Sequence, residues 1–209
     1  MRRLLLCLLL TLSVLAGGLP ASTRAADSLL QLQYSGQAAE VELGSTDSAG
    51  CVVTNVRVGA VDGRIKQGSQ PETSSHVVVL IGQYNACTDT RLLAAMGQAP
   101  LAPAAFQVDP QLSTATLNAT LEVFDYVSAQ AYPLDVSIRW TATGDAVRVK
   151  GSTQTRSAGF LVSERFDGSG RQATATGTVS LNGSPNLTPE PAGFAQILSM
   201  RTATTEISR

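Results

Sequence analysis

Leu117-Asn118-Ala119-Thr120-Leu121-Glu122-Val123-Phe124 is the stretch that decides the fold. Successive side chains of a strand point to opposite faces, so Leu117, Ala119, Leu121 and Val123 share one side while Asn118, Thr120, Glu122 and Phe124 share the other. One face is core and the other is wet. The same two-residue period recurs in Leu30/Leu32/Tyr34 and Val136/Ile138/Trp140, and further strands are expected over 76–84 and 173–181. Val, Thr and Ser dominate these runs; apolar residues at helical spacing gather only around 91–96 and 191–200. Asp62-Gly63, Thr143-Gly144-Asp145, Asp167-Gly168 and Asn182-Gly183 read as hairpin turns, with another hairpin over 127–131. Many short strands with turn signals between them predict an all-β sandwich architecture.

A self-similarity divides the chain. Residues 30–58 and 136–166 follow one pattern: Leu30, Leu32 and Tyr34 match Val136, Ile138 and Trp140, Gly44-Ser45-Thr46 matches Gly151-Ser152-Thr153, and Ser48-Ala49-Gly50 matches Ser157-Ala158-Gly159. Pro100, Pro103 and Pro110 mark 99–110 as a connector that no central strand would tolerate. The expectation is two tandem β-sandwich units from an internal duplication, 27–110 and 111–209, with one merged β-sandwich as the alternative.

The N-terminus reads as an address. Arg2 and Arg3 precede the apolar run 4–16, and Thr23-Arg24-Ala25 places small residues at the −3 and −1 positions of a cleavage site, so 1–25 is expected to be a signal peptide. Its removal takes Arg2, Arg3, Arg24 and Cys7, leaving 12 of the 15 basic residues against all 16 acidic ones, a formal charge of −4. A secreted or periplasmic product follows, with no membrane span after cleavage, because no second long apolar run appears. In an oxidising compartment the two remaining cysteines, Cys51 and Cys87, are expected to pair.

Gln83-Tyr84-Asn85-Ala86-Cys87-Thr88, the run 113–120, Val123-Phe124-Asp125-Tyr126-Val127-Ser128 and Arg139-Trp140-Thr141-Ala142-Thr143-Gly144 resemble a set of uncharacterised exported bacterial proteins, over about half of the mature chain. The resemblance implies secretion and a shared β fold, and it assigns no catalytic or binding residue.

The chemistry narrows by exclusion. Low, balanced charge offers no basic field for nucleic acid, and no glycine pattern for a nucleotide occurs. The single histidine, His76, precedes an apolar run and is expected to be solvated or bonded to a nearby carbonyl rather than part of a serine relay; no Gly-x-Ser-x-Gly elbow occurs. Two thiols and one imidazole cannot complete a zinc set, so no metal and no cofactor is expected; Asp47, Asp62 and Asp167 are explained by turn geometry. Glycoside hydrolysis needs only two suitably spaced carboxyl groups, for which Glu122 with Asp125, or Glu164 with Asp167, are the candidates. Sugar recognition needs exposed rings, for which Phe124, Tyr126 and Tyr132 are the candidates, with cross-strand packing as the competing reading. The leading expectation is a non-catalytic protein with a binding or envelope-structural role and an unknown protein or glycan partner; the alternatives are a carbohydrate-binding module and, behind it, a carboxylate-dependent glycosidase.

Overall fold

Period-two alternation builds strands, and only strands and turns, among the described residues of this computed structural model, which are 30–67, 70–157, 160–182, 184–187 and 194–208. The expected signal peptide, Ala158-Gly159 of the second repeat and Gly183 of the last turn lie outside them. In chain order the strands are β1 (Leu30–Thr46), β2 (Val52–Gln67), β3 (Gln70–Asn85), β4 (Thr90–Pro100), β5 (Phe106–Val108), β6 (Thr114–Asp125), β7 (Gln130–Ala142), β8 (Val147–Ser157), β9 (Phe160–Leu181), β10 (Ser184–Leu187) and β11 (Ala195–Ser208).

All pairings are antiparallel and belong to one sheet. Followed from neighbour to neighbour, β1-β2-β3-β4-β6-β7-β9-β11 returns to β1, so eight strands close into a barrel. Closure removes the open edges that a strand-rich chain must otherwise protect. The narrowest seam is β4–β6, paired only at Ala95↔Asp125, Met96↔Phe124 and Gly97↔Val123. Where β4 has diverged, the short β5 takes over the β6 edge through Phe106↔Leu117 to Val108↔Ala115.

The inward residues of each strand make the core. On β6 and β7 these are Ala115, Leu117, Leu121 and Val123 facing Leu134, Val136, Ile138 and Trp140, and opposite them lie Val41, Val58, Val79 and Ile197. Trp140 is fully buried, and its indole Nε1 donates to the carbonyl of Glu40 at 2.9 Å, satisfying its one polar atom inside the barrel. An eight-stranded barrel is narrow enough for side chains to fill.

Beyond the barrel six strands continue as β3-β2-β1-β11-β9-β8 and carry a second, smaller core on the outward face. Tyr34, Met200 and Ala203 are buried there with Val61, Ile65 and Phe166 around them. Tyr34 lies so close over Gly63 that a Cβ there would sit 2.8 Å from Cε2 of its ring, and a Cβ on Gly168 would sit 2.8 Å from Sδ of Met200. Asp62-Gly63 and Asp167-Gly168 are therefore inside β2 and β9, not at turns: these glycines make room for large side chains on the adjacent strand.

Other expectations are corrected in the same way. The all-β expectation holds, but the strands of 27–110 and 111–209 are joined at β1–β11 and β4–β6 in one sheet rather than in a sandwich of two, and the structure does not confirm a tandem duplication. Tyr34 and Trp140, matched in the sequence, occupy opposite faces of the sheet. Thr143-Gly144-Asp145 is not a hairpin turn, because Ala142↔Ala173 and Val147↔Gly170 both lie on β9 and residues 143–146 loop out of one long pairing. The helical spacing at 91–96 falls within β4, and 195–200 within β11. The 127–131 hairpin does join β6 to β7, with Ala129 in the left-handed region at φ 55°. Cys51 and Cys87 form the expected disulfide, with Cα atoms 5.2 Å apart, tying the β1–β2 turn to the β3–β4 turn.

Candidate functional site

Register places one residue from each of five strands in a row across the outer face: Phe124, Met96, Leu80, Arg57 and Glu42, from β6 to β1. The next row is made of small residues, Ala94, Gly82, Asn55 and Gly44, and a Cβ on Gly82 would meet nothing within 4 Å. A row of small residues beside a row of large ones is a groove. It encloses about 380 Å³, with Leu80 and Met96 along one side, Tyr126 at one end and Glu42, Asn55 and Arg57 toward the other.

Phe124 and Tyr126 are two residues apart on β6 and its turn, and their rings meet edge to face with centroids 5.2 Å apart. They remain 43% and 62% exposed, so the contact leaves ring surface free at the groove's end. Tyr84, 40% exposed, stands on the outward side of β3 two residues beyond Gly82.

Tyr132, the third ring expected to share this platform, pairs with Val123 and packs against the barrel core. Its hydroxyl donates to Gln130 Oε1 at 2.9 Å and lies 3.2 Å from Ser128 Oγ. Phe124 and Tyr126 are thus brought together and Tyr132 is turned to the other face.

The polar end of the groove has its own support. Arg57 lies 3.7 Å from Glu40, and Gln196 donates to the same carboxylate. Glu40 is buried, and burial pushes its pKa up, with Arg57 and Gln196 offsetting only part of the effect. Glu42 and Asn55 are exposed to solvent on the same face.

Neither carboxylate pair forms a catalytic arrangement. Glu122 points outward with Phe124, whereas Asp125 points inward and is 2% exposed. Burial alone would raise the Asp125 pKa; hydrogen bonds from the Ser128 hydroxyl and the N–H groups of Ala94, Val127 and Ser128 outweigh it and hold it down at about 2. Glu164 accepts from Thr153 Oγ1 at 2.9 Å on one face of β9, while Asp167 on the other accepts Nε and Nη2 of Arg148 at 3.1 and 2.8 Å. The expected acid and base in each pair are separated by the sheet.

His76 is buried within β3 rather than at its entrance, with Nδ1 3.2 Å from Ser74 Oγ, and burial lowers its pKa. Asp47 accepts the N–H groups of Cys51 and Val52, and Asp62 accepts the Ser75 hydroxyl. Among the described residues no group of three or more His, Cys, Asp and Glu converges on a point.

The sequence reading missed Leu80, Met96, Arg57 and Gly82. Part of the signal was present: 77–81 is a continuous apolar run in a strand whose partners alternate, so two of its apolar residues, Val78 and Leu80, have to face outward. Compared with family models, with curated proteins and with solved structures, the chain matches none of them.

Proposed function

We propose that this is an exported, non-catalytic binding protein that captures a glycan in the outer groove. The carrying observation is the free ring surface of Tyr126 at the end of a groove, with the exposed Phe124 packed edge to face beside it, whose other end presents the planar polar groups of Asn55, Arg57 and Glu42. Sugar rings offer an apolar C–H face and a rim of hydroxyls, and this groove offers an aromatic wall and a few fixed donors and acceptors. The separation of each carboxylate pair by the sheet favours binding over glycosidic cleavage, which needs both groups on one side of the bond.

Export is part of the same proposal. The Cys51–Cys87 disulfide suits an oxidising compartment, and the charged start of 1–25 followed by an apolar run supplies the route. The barrel faces water rather than lipid in this reading: Asn118, Thr120, Glu122, Asp135 and Arg139 are exposed on the outer faces of β6 and β7, where a membrane barrel carries an apolar band.

A glycan array probed with the mature protein tests the reading. Hits that weaken at least tenfold in both Tyr126→Ala and Phe124→Ala are expected. An array without hits, or hits untouched by both substitutions, overturns the proposal.

A further inference from the structure

The six strands that continue beyond the barrel have a second face, opposite Tyr34 and Met200, and basic residues collect on it. Arg64 and Lys66 are two apart on β2 and share a face; Arg148 and Lys150 do the same on β8, next to Arg165 on β9. Arg201, at the irregularity in β11, is close enough to help lower the Asp167 pKa. These six alone are half of the mature chain's 12 basic residues, although the mature chain is acidic overall.

Register gives the face a shape. Lys66, Gln33, Thr204, Arg165 and Ser152 form one row across β2, β1, β11, β9 and β8, and Arg64, Ser35, Thr202, Asp167 and Lys150 form the next. The banks carry the basic side chains and flank the amides and hydroxyls of Gln33, Ser35, Thr202 and Thr204 on β1 and β11, while Asp62 and Glu206 lie farther along the same face and Asp167 lies within the second bank. At 4.7–4.9 Å per strand, β2 and β9 stand ~14 Å apart and β2 and β8 ~19 Å apart. Next to one bank is a depression of about 480 Å³ lined by Lys150, Ser152, Arg165, Asp167 and Thr202. Arg64, Lys66, Lys150, Arg165 and Arg201 are all exposed, and Arg148 pairs with Asp167 at 2.8 Å on this face.

From this juxtaposition we infer a second binding site, independent of the outer groove: the face between the Arg64–Lys66 and Lys150–Arg165 banks takes a linear acidic polysaccharide. The carboxylates of a uronate chain meet the banks, and its hydroxyls meet Gln33, Ser35, Thr202 and Thr204. A single-stranded nucleic acid would need rings to stack on, and the rows of this trough carry none. An anionic bilayer would favour apolar residues set to insert, but the apolar residues here are on the opposite, buried side.

The test is binding of the mature protein to polygalacturonate, to the same polymer fully methyl-esterified, and to phosphatidylglycerol vesicles. Expected are saturable binding to the free acid that weakens steeply with salt, at least tenfold weaker binding to the ester, and at least tenfold loss in each of the pairs Arg64→Gln with Lys66→Gln and Lys150→Gln with Arg165→Gln. These side chains are exposed, so melting temperatures should not move, and Tyr126→Ala should bind the polyuronate as well as the parent does. Equal affinity for acid and ester, indifference to both charge pairs, no binding of the free acid, or tighter binding to the vesicles overturns the inference. Failure of the groove proposal appears instead as Tyr126→Ala and Phe124→Ala leaving the array hits unchanged.

Discussion

The Asp125 carboxylate accepts the backbone N–H of Ala94 at 3.0 Å across the narrowest seam of the barrel. Three residue pairs join β4 to β6 there, and the same carboxylate also takes the N–H groups of Val127 and Ser128 and the Ser128 hydroxyl, fixing the turn that leads into β7. One buried acid therefore closes the barrel and shapes the hairpin that holds Tyr126.

Asp125→Ala leaves several of these part-buried donors without the carboxylate and should cost about 1–3 kcal/mol in denaturant unfolding. The pH dependence has a definite sign. The folded pKa, about 2, lies below the ordinary carboxylate value of 3.8, so the stabilisation is complete above pH 4 and is lost as pH falls toward 2. The acid limb of a stability profile should flatten in Asp125→Ala. An unchanged limb would mean that the carboxylate is not the staple.

The barrel's strands were legible in the sequence and their closure was not. Alternation over 117–124 separated core from solvent residue by residue, and β6 follows it. Closure depends on which strands meet at the seam, and only three residue pairs and a carboxylate decide that, none of them periodic. The glycines misled for a physical reason. Gly63 and Gly168 read as turns because a backbone without a side chain bends easily, yet each sits mid-strand to let Tyr34 or Met200 lie against the sheet. Phe124 and Tyr126 were legible as an outward pair because they are two residues apart, whereas the groove they end arises from Ala94, Gly82 and Gly44 on three other strands. The basic face was hidden by composition, which averages charge over both sides of a sheet; the spacing of Arg64 to Lys66 and Arg148 to Lys150 already placed each pair on one side.

The disulfide joins two neighbouring turns at one end of the barrel, 36 residues apart in sequence. Its main effect is on the unfolded chain, and replacing both partners, Cys51→Ser with Cys87→Ser, should lower the unfolding free energy by about 2–4 kcal/mol without altering the strand content seen by circular dichroism. A chain that loses its strand signal at once would show that the bond is needed for the fold and not only for its stability.

Glu40 gives a pH effect of the opposite sign. Its pKa is raised on folding, mainly by burial, so the folded state holds the proton more tightly than the unfolded state, and stability is lost as pH rises through that interval. Glu40→Gln retains a polar group beside Gln196 and removes the titration. It should gain on the parent chain as pH rises above the ordinary carboxylate value of 4.5, with the difference in unfolding free energy growing until the folded carboxyl ionises. A difference that stays constant across that range would place the Glu40 charge in an adequately compensated site.

Ala129 and Leu112 share the left-handed backbone, at φ 55° and 57°, and substitution by glycine should move their stabilities in opposite directions. That conformation costs a residue with a Cβ roughly 1–2 kcal/mol. Glycine removes the cost but gives the unfolded chain about 0.5–1 kcal/mol of extra freedom. Ala129 is exposed, so Ala129→Gly should stabilise by about 0.5–1 kcal/mol, read as a rise in the denaturation midpoint. Leu112 is 4% exposed and belongs to the barrel core, and losing its side chain forfeits about 2–3 kcal/mol of apolar burial. Leu112→Gly should therefore destabilise despite the relieved backbone. Stabilisation by both substitutions would show that backbone strain outweighs packing in the turn before β6, and loss in both would show that the β6–β7 turn carries no strain to relieve.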